Sequence, residues 1–369
     1  MRLATTIRGF IPVMVLAVSA GAYSAPASAA ENPVKAGGKK SAAAPVPCGA
    51  GSAAALVAAV SAANSAPGGG TVQLTTGCVY TLTSAAATGA NGADGLPIIT
   101  GNVTISGSGA TIKRDAAAPD FRIAEVAPGG SLTISGVTIS GGRVTSGAGT
   151  DGGGILDRGT LTLSRSPVTG NTASNIGGGV EVAPGGTATL SSSNVTGNTA
   201  GDGGGIHVNT TATLTYSGGT ISGNTGVNLG GGVASFGTTL LNSATIQGNV
   251  TTNFEGGGVW GGAGNLTVNA SRVTGNTAGS FGGGIANFGS TLQVSTTTVS
   301  GNTSTLNGGG LYNHAGTTQL IADTITGNTA NGGQGGGVFR DGGTVTLTAT
   351  TVSGNHPNNC VPVQAGCPA

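Results

Sequence analysis

Charge is scarce in this chain. Lys and Arg number 13 and Asp and Glu 12 among 369 residues, 7% of the total. No basic stripe is available to neutralise phosphates, which excludes nucleic acid as a partner. Histidine occurs only at His207, His314 and His356. Neither a Ser-His-Asp order nor metal-ligand spacing emerges from them, so no metal site and no cofactor is expected. The four cysteines contain no C-x-x-C pair, which excludes a thioredoxin-like redox motif. No apolar run after the first thirty residues approaches the ~20 residues that span a bilayer, so no transmembrane segment is expected in the mature chain.

The first thirty residues have the layout of an export signal. Arg2 and Arg8 precede the apolar run FIPVMVLAVSAGA, and the small residues APASAA follow, with cleavage expected after Ala29 or Ala30. Residues 1–30 are therefore read as a signal peptide and the protein as secreted, soluble and extracellular. Removing Arg2 and Arg8 from the 13 basic residues leaves 11 against 12 acidic, a nearly neutral mature chain. The stretch ENPVKAGGKKSAAAPVP (31–47) reads as a flexible linker.

Glycine is abundant, at 74 residues, and it is periodic. Gly-Asn pairs begin at Gly170, Gly197, Gly223, Gly248, Gly275, Gly301, Gly327 and Gly354, and triple glycines at Gly152, Gly177, Gly203, Gly230, Gly256, Gly282, Gly308 and Gly335. Both series advance by 25 to 27 residues, a period that means a solenoid. Aligned on the Gly-Asn pair, aliphatic residues fall into columns. Leu163, Leu190, Leu241 and Val268 stand seven before the Gly, and Val168, Val195, Ile221 and Ile246 two before it. Ile155, Val180, Ile206 and Val233 follow the triple glycines, and a looser column runs through Leu161, Ala188, Leu214 and Thr239. Short alternating T-L-T-L segments between glycine-rich corners predict three strands per coil of a parallel β-helix. Right-handed winding is expected from the general preference of parallel crossovers. Stacked coils place equivalent residues ~4.8 Å apart, so the core is a set of side-chain ladders. Positive φ and close coil-to-coil approach account for the triple glycine; the left-handed tolerance of Asn accounts for the Gly-Asn corner, and the eight stacked Asn side chains are expected to hydrogen-bond along the axis.

The two ends carry different signals. AALVAAVSAANSAPGG (54–69) places Leu56, Val57, Val60 and Ala63 at helical spacing, a short helix suited to cover the end of the solenoid. Of the three pairings that four cysteines allow, a solenoid tens of ångströms long leaves only Cys48–Cys78 and Cys360–Cys367, because bridged Cα atoms lie within ~7 Å. The domain plan is a cap and first coils over 48–110, β-helix repeats over 111–355, and a disulfide-closed cap over 356–369.

GGGI and GGGV followed by V-T-G-N or I-S-G-N, entered through LVAAVSAANSAPGGGTVQL, resemble the secreted bacterial right-handed parallel β-helix repeat proteins of the pectin-lyase-like superfamily. They are also similar to the polymorphic outer membrane protein repeat, GGAI plus FxxN, with Gly for its Ala and Val or Ile for its Phe. The resemblance covers about residues 48–369. It implies an all-β solenoid and admits lyases, hydrolases and adhesins alike.

Enzymes of that superfamily place charged residues on an outer strand face between long loops. Coils of 25 to 27 residues leave no room for such walls, so a non-catalytic, monomeric β-helix is expected, acting in recognition of polysaccharide or a cell surface, in adhesion or as a spacer. A polysaccharide lyase or glycoside hydrolase is the alternative, and an ice-binding protein a further one. The catalytic candidates are Lys113 and Arg122 in the charge-dense KRDAAAPDFRIAEV (113–126), and Asp151 and Asp202 ahead of triple glycines. The second residue after each triple glycine forms an outward column that includes Glu181, His207, Trp260, Tyr312 and Phe339. Glu181 and His207 are expected to form a surface ion pair. Trp260, Tyr312, Phe339 and His207 are the carbohydrate-binding candidates, with exposed rings of Trp260 and Tyr312 ~9.6 Å apart to stack on sugars. A T-x-T array, from Thr160 and Thr162 to Thr344 and Thr346, lies on another face, interrupted at Leu240, Gln293 and Gln319. That array carries the ice-binding reading.

Overall fold

A computed structural model of the chain describes residues 44–147 and 149–367. The expected signal peptide and most of the expected linker lie outside the described residues. Val46, near the linker's end, is buried and bridges Leu74.

The described chain is an all-β parallel solenoid with one helix. Three large parallel sheets form its faces, of 20, 8 and 10 strands. The largest holds both the T-x-T strands and the strands that precede Gly-Asn. It is continuous because the first coils run unbroken through that corner, as Asn102–Arg114 and Ser131–Ser140. Two extra residues in the first of these strands are absorbed by a register shift between Ser106 and Ala110.

The aliphatic columns are the core. Leu163, Leu190, Tyr216, Leu241, Val268, Val294 and Leu320 pair in register from coil to coil and are fully buried. Thr239 and Thr318 interrupt the looser column but are buried with partners. Thr239 Oγ1 lies 2.8 Å from Ser235 Oγ, and Thr318 Oγ1 donates to Asn313 Oδ1 at 2.7 Å.

The Gly-Asn corner differs from expectation in its left-handed residue, while the axial Asn hydrogen bonds form as expected. Gly is the left-handed residue, with φ between 59° and 64° at all eight positions. The Asn side chain turns inward, where each amide Nδ2 donates to Oδ1 of the next Asn. Asn224, Asn249, Asn276, Asn302 and Asn328 are linked in this way at 2.9 Å, all fully buried. This buried ladder satisfies amides that would otherwise cost ~1–3 kcal/mol each. In the triple glycine, the first residue has positive φ, while a Cβ on the second or third would collide with a backbone carbonyl of a neighbouring coil.

A further corner carries positive φ on ordinary residues, among them Arg165, Ser192, Ser243, Ala270 and Thr296. The helix α1 (Ser52–Ser65) lays Leu56, Val60 and Ala63 onto the main core. Disulfides join Cys48 to Cys78 and Cys360 to Cys367. Among the described residues, no helix is long and apolar enough to cross a membrane.

Candidate functional site

Eight strands of the ten-stranded sheet are the three-residue strands that follow the triple glycines, flanked by Ala124–Val126 at one end and Cys360–Val361 at the other. Their middle residues point away from the main core and pair in one ladder: Glu125, Leu156, Glu181, His207, Ala234, Trp260, Ala286, Tyr312 and Phe339. Its direction is the expected one, but its exposure is not. Trp260 is only 6% and Tyr312 4% exposed. The reason is a second column, four residues after each triple glycine, which contributes Phe236, Phe288, His314 and Asp341 alongside the ladder.

Phe236 and Phe288 flank Trp260 at centroid distances of 4.8 and 6.0 Å. Phe281 stacks on Tyr312 at 4.6 Å, and Phe288 and Phe339 approach it at 5.5 and 5.8 Å. Trp260 and Tyr312 are therefore the floor of an aromatic layer, bridged by Phe288, and not isolated surface rings. Phe236, Phe281, Phe288 and Phe339 are half-buried and form its outer part. At the rim, His314 Nδ1 lies 2.7 Å from Asp341 Oδ2, which also accepts the Tyr312 hydroxyl at 2.8 Å. These two bonds hold the Asp341 carboxyl below the usual carboxylate range. The His314 and Asp341 side chains are about half exposed, at 49% and 45%. Burial raises the nearby Glu255 carboxyl above its ordinary value.

Toward the N-terminal coils the same ladder turns polar. Glu181 Oε2 and His207 Nδ1 are 2.7 Å apart, so the expected pair forms, but the residues are 1% and 3% exposed. It is a buried pair, and desolvation raises the Glu181 carboxyl despite His207. Beside it opens a pocket of about 200 Å³ lined by Arg122, Asp151, Arg158, Glu181 and Asn209 among others. Asp157, on the same strand as Leu156, is fully buried and accepts from the Gly159 amide; burial lifts its carboxyl to about 7.

Arg122 is not placed to act as a base. It is fully buried, with Nη1 3.0 Å from Asp94 Oδ1 and 3.6 Å from Glu125 Oε2. Nη2 donates to the carbonyls of Asn91 and Gly149, and Nε to that of Asp151. The guanidinium ties together three separate segments and is fully engaged. Lys113 is exposed in the 20-stranded sheet, in register with Thr81 and Ser140, and does not line the pocket. Asp151 does line it, accepting from Asn175 Nδ2 at 2.7 Å. Asp202, half-buried, accepts from the Leu229 amide at 3.3 Å and lies outside the pocket lining. Glu125 belongs to the charge-dense 113–126 segment singled out from sequence, whereas Asp94, Arg158, Phe236, Phe288 and Asp341 were missed as site residues. Only the second column had a sequence signal, since strand alternation sends residues two apart to the same side. Among the described residues, no group of three or more His, Cys, Asp and Glu side chains is placed to hold a metal ion.

The chain is a parallel β-helix repeat protein. No protein-family model matches its sequence, and no curated protein does. Among solved structures, the A-module of the Azotobacter vinelandii mannuronan C-5 epimerase AlgE6 matches over 85% of this chain and 96% of its own. Its TM-score is 0.40 and its sequence identity 18%, too low to transfer a residue or an activity.

Proposed function

We propose that this protein is an exported glycan-binding β-helix that holds its ligand on the aromatic half of the outer ladder without altering it chemically. One observation carries the reading. Aromatics are 3% of the chain, yet Phe236, Trp260, Phe281, Phe288, Tyr312 and Phe339 gather in a single layer. Ring faces stack against the C–H faces of sugars, while the neighbouring carboxylate of Asp341 and imidazole of His314 suit hydroxyl groups. The two disulfides support an oxidising compartment and hence export.

A binding panel of neutral and charged polysaccharides, read together with assays for new reducing ends and unsaturated uronates, tests this. Binding without turnover, weakened about tenfold by Phe288→Ala and by Asp341→Asn, is the expected result; tenfold corresponds to about 1.4 kcal/mol. Absence of binding to every glycan in the panel overturns it.

The pocket favours a second reading, as a polysaccharide lyase or hydrolase. A buried carboxyl with raised proton affinity, 2.7 Å from an imidazole, is what general acid–base work requires. Turnover abolished by Glu181→Gln would establish that reading in place of the first.

A further inference from the structure

Trp260 is the only tryptophan of the chain, and its one polar atom has no partner. Nε1 is buried and meets no acceptor, although buried indole N–H groups usually find one. Asp94, Arg114, Glu125 and Asp157 also leave one atom unmatched, but each is bonded through another. A Cβ on Gly262 would collide with Cη2 and Cζ3 of the indole. The benzo edge therefore rests on that glycine, and Nε1 lies on the opposite edge. Leu229, Phe236 and Phe288 pack against Ala234, Trp260 and Ala286. All three are half-buried side chains, so the cover over the indole includes groups that a ligand can turn aside.

Glu255 is a second group without its complement. It stands one residue before Gly256, where a Cβ would lie 2.7 Å from that of Trp260. Its charge acts on Tyr312 and His314, which places it on the same face. The half-buried carboxyl bonds its own backbone amide and forms no ion pair among the described residues. His314 is already committed to Asp341 at 2.7 Å. No lysine or arginine stands in the ladder from Ala234 to Phe339 or in its flanking columns. An anionic ligand finds no counter-charge there, so this half of the ladder favours a neutral one.

We infer that the Trp260 indole N–H and the Glu255 carboxylate together recognise the acetamido group of an N-acetylated amino sugar. The carbonyl oxygen accepts from Trp260 Nε1, the amide N–H donates to Glu255, and the methyl packs on Leu229 and Phe236. A sugar hydroxyl is held close to the ring that stacks on Phe288. An acetamido carbonyl stands further out and reaches a recessed donor. An O-acetyl ester offers the same carbonyl and methyl but no donor for Glu255, and experiment separates the two. The inference rests on the glycan reading above and names the sugar.

The single tryptophan makes the test direct, because isotope-labelled Trp260 gives one indole N–H resonance. The full chain is titrated with tetramers of N-acetylglucosamine, of glucose and of O-acetylated glucose, followed by calorimetry and by that resonance. The N-acetylated tetramer is expected to bind at least tenfold tighter than the glucose tetramer and to move the resonance downfield. Replacing the Trp260 indole by benzothiophene puts sulfur in place of N–H at nearly the same shape. That change is expected to bring the ratio of the two affinities to about one. Glu255→Ala is expected to lower the N-acetylated tetramer to the affinity of the O-acetylated one. Glu255 is half-buried, so this variant reports even if the altered ring disturbs the layer. Equal affinity for the N-acetylated and glucose tetramers overturns the inference. So does an unmoved indole resonance at saturation, a preference that survives the benzothiophene, or equal binding of the two acetylated tetramers. If all three tetramers bind equally and Phe288→Ala weakens them all, the acetamido inference fails and the glycan reading stands. If neither these nor any other glycan binds, both fail.

Discussion

Gly301 and Gly283 belong to the same repeat but forbid different things. Gly301 sits at φ 62° with nothing within 4 Å of where a Cβ would stand. A Cβ on Gly283, by contrast, would meet the Thr303 carbonyl and lie 2.6 Å from that of Gly309. Gly301→Ala therefore costs only left-handed strain, about 1–2 kcal/mol. Gly283→Ala forces coils apart and costs about 3 kcal/mol or more. Urea midpoints at unchanged slope measure both. Asp157 makes a prediction of opposite character. Its carboxyl is lifted to about 7 by burial, against about 3.9 in an unfolded chain. Between these values the folded state binds more protons than the unfolded one, so its contribution to stability is greatest at low pH and is lost as pH rises through 7. The slope for this one group reaches about 1.4 kcal/mol per pH unit. Asp157→Asn should remove that slope relative to the parent between pH 4 and 7; identical slopes in parent and variant would contradict it.

At the level of elements, regular columns were legible and exceptions were not. The period located the four main aliphatic columns but not the Val182–Val208 rungs, and helical spacing located α1, because burial of a repeated face leaves a repeated mark. Leu56 and Val60 of α1 are fully buried, so Leu56→Ala should cost about 2–5 kcal/mol and speed amide exchange in the first coils, whereas the exposed Ser61→Ala should change neither. The third corner left no mark, since Arg165, Ser192, Ala270 and Thr296 share no property beyond tolerating positive φ there. The hydrogen-bonded stacking of the Asn side chains was legible from the period, but not that Gly rather than Asn takes the left-handed conformation. In a Gly-Asn pair either residue can turn the corner, and only the backbone of the folded coil shows which one does.

Across the whole solenoid, residue types are sorted by face. Threonines occupy the flat T-x-T strands, Asn amides fill an internal ladder, Tyr80, Phe121 and Tyr216 lie in the main core, and the other clustered rings and most buried charges collect around the outer ladder of the ten-stranded sheet. Sequence spacing identified that ladder and several of its residues. It did not reveal that Phe236, Phe281 and Phe288 would cover Trp260 and Tyr312, because the covering rings come from flanking columns and neighbouring coils. Nor did it bring Asp94 to Arg122, a contact across 28 positions. The most direct test of the central claim is hydroxyl-radical footprinting of the full chain with and without the tightest-binding glycan. Protection of Phe288, His314 and Phe339, with no change at the core Tyr80 and Tyr216, is the predicted result. Protection confined to another face, with these three residues unchanged at saturation, would contradict it.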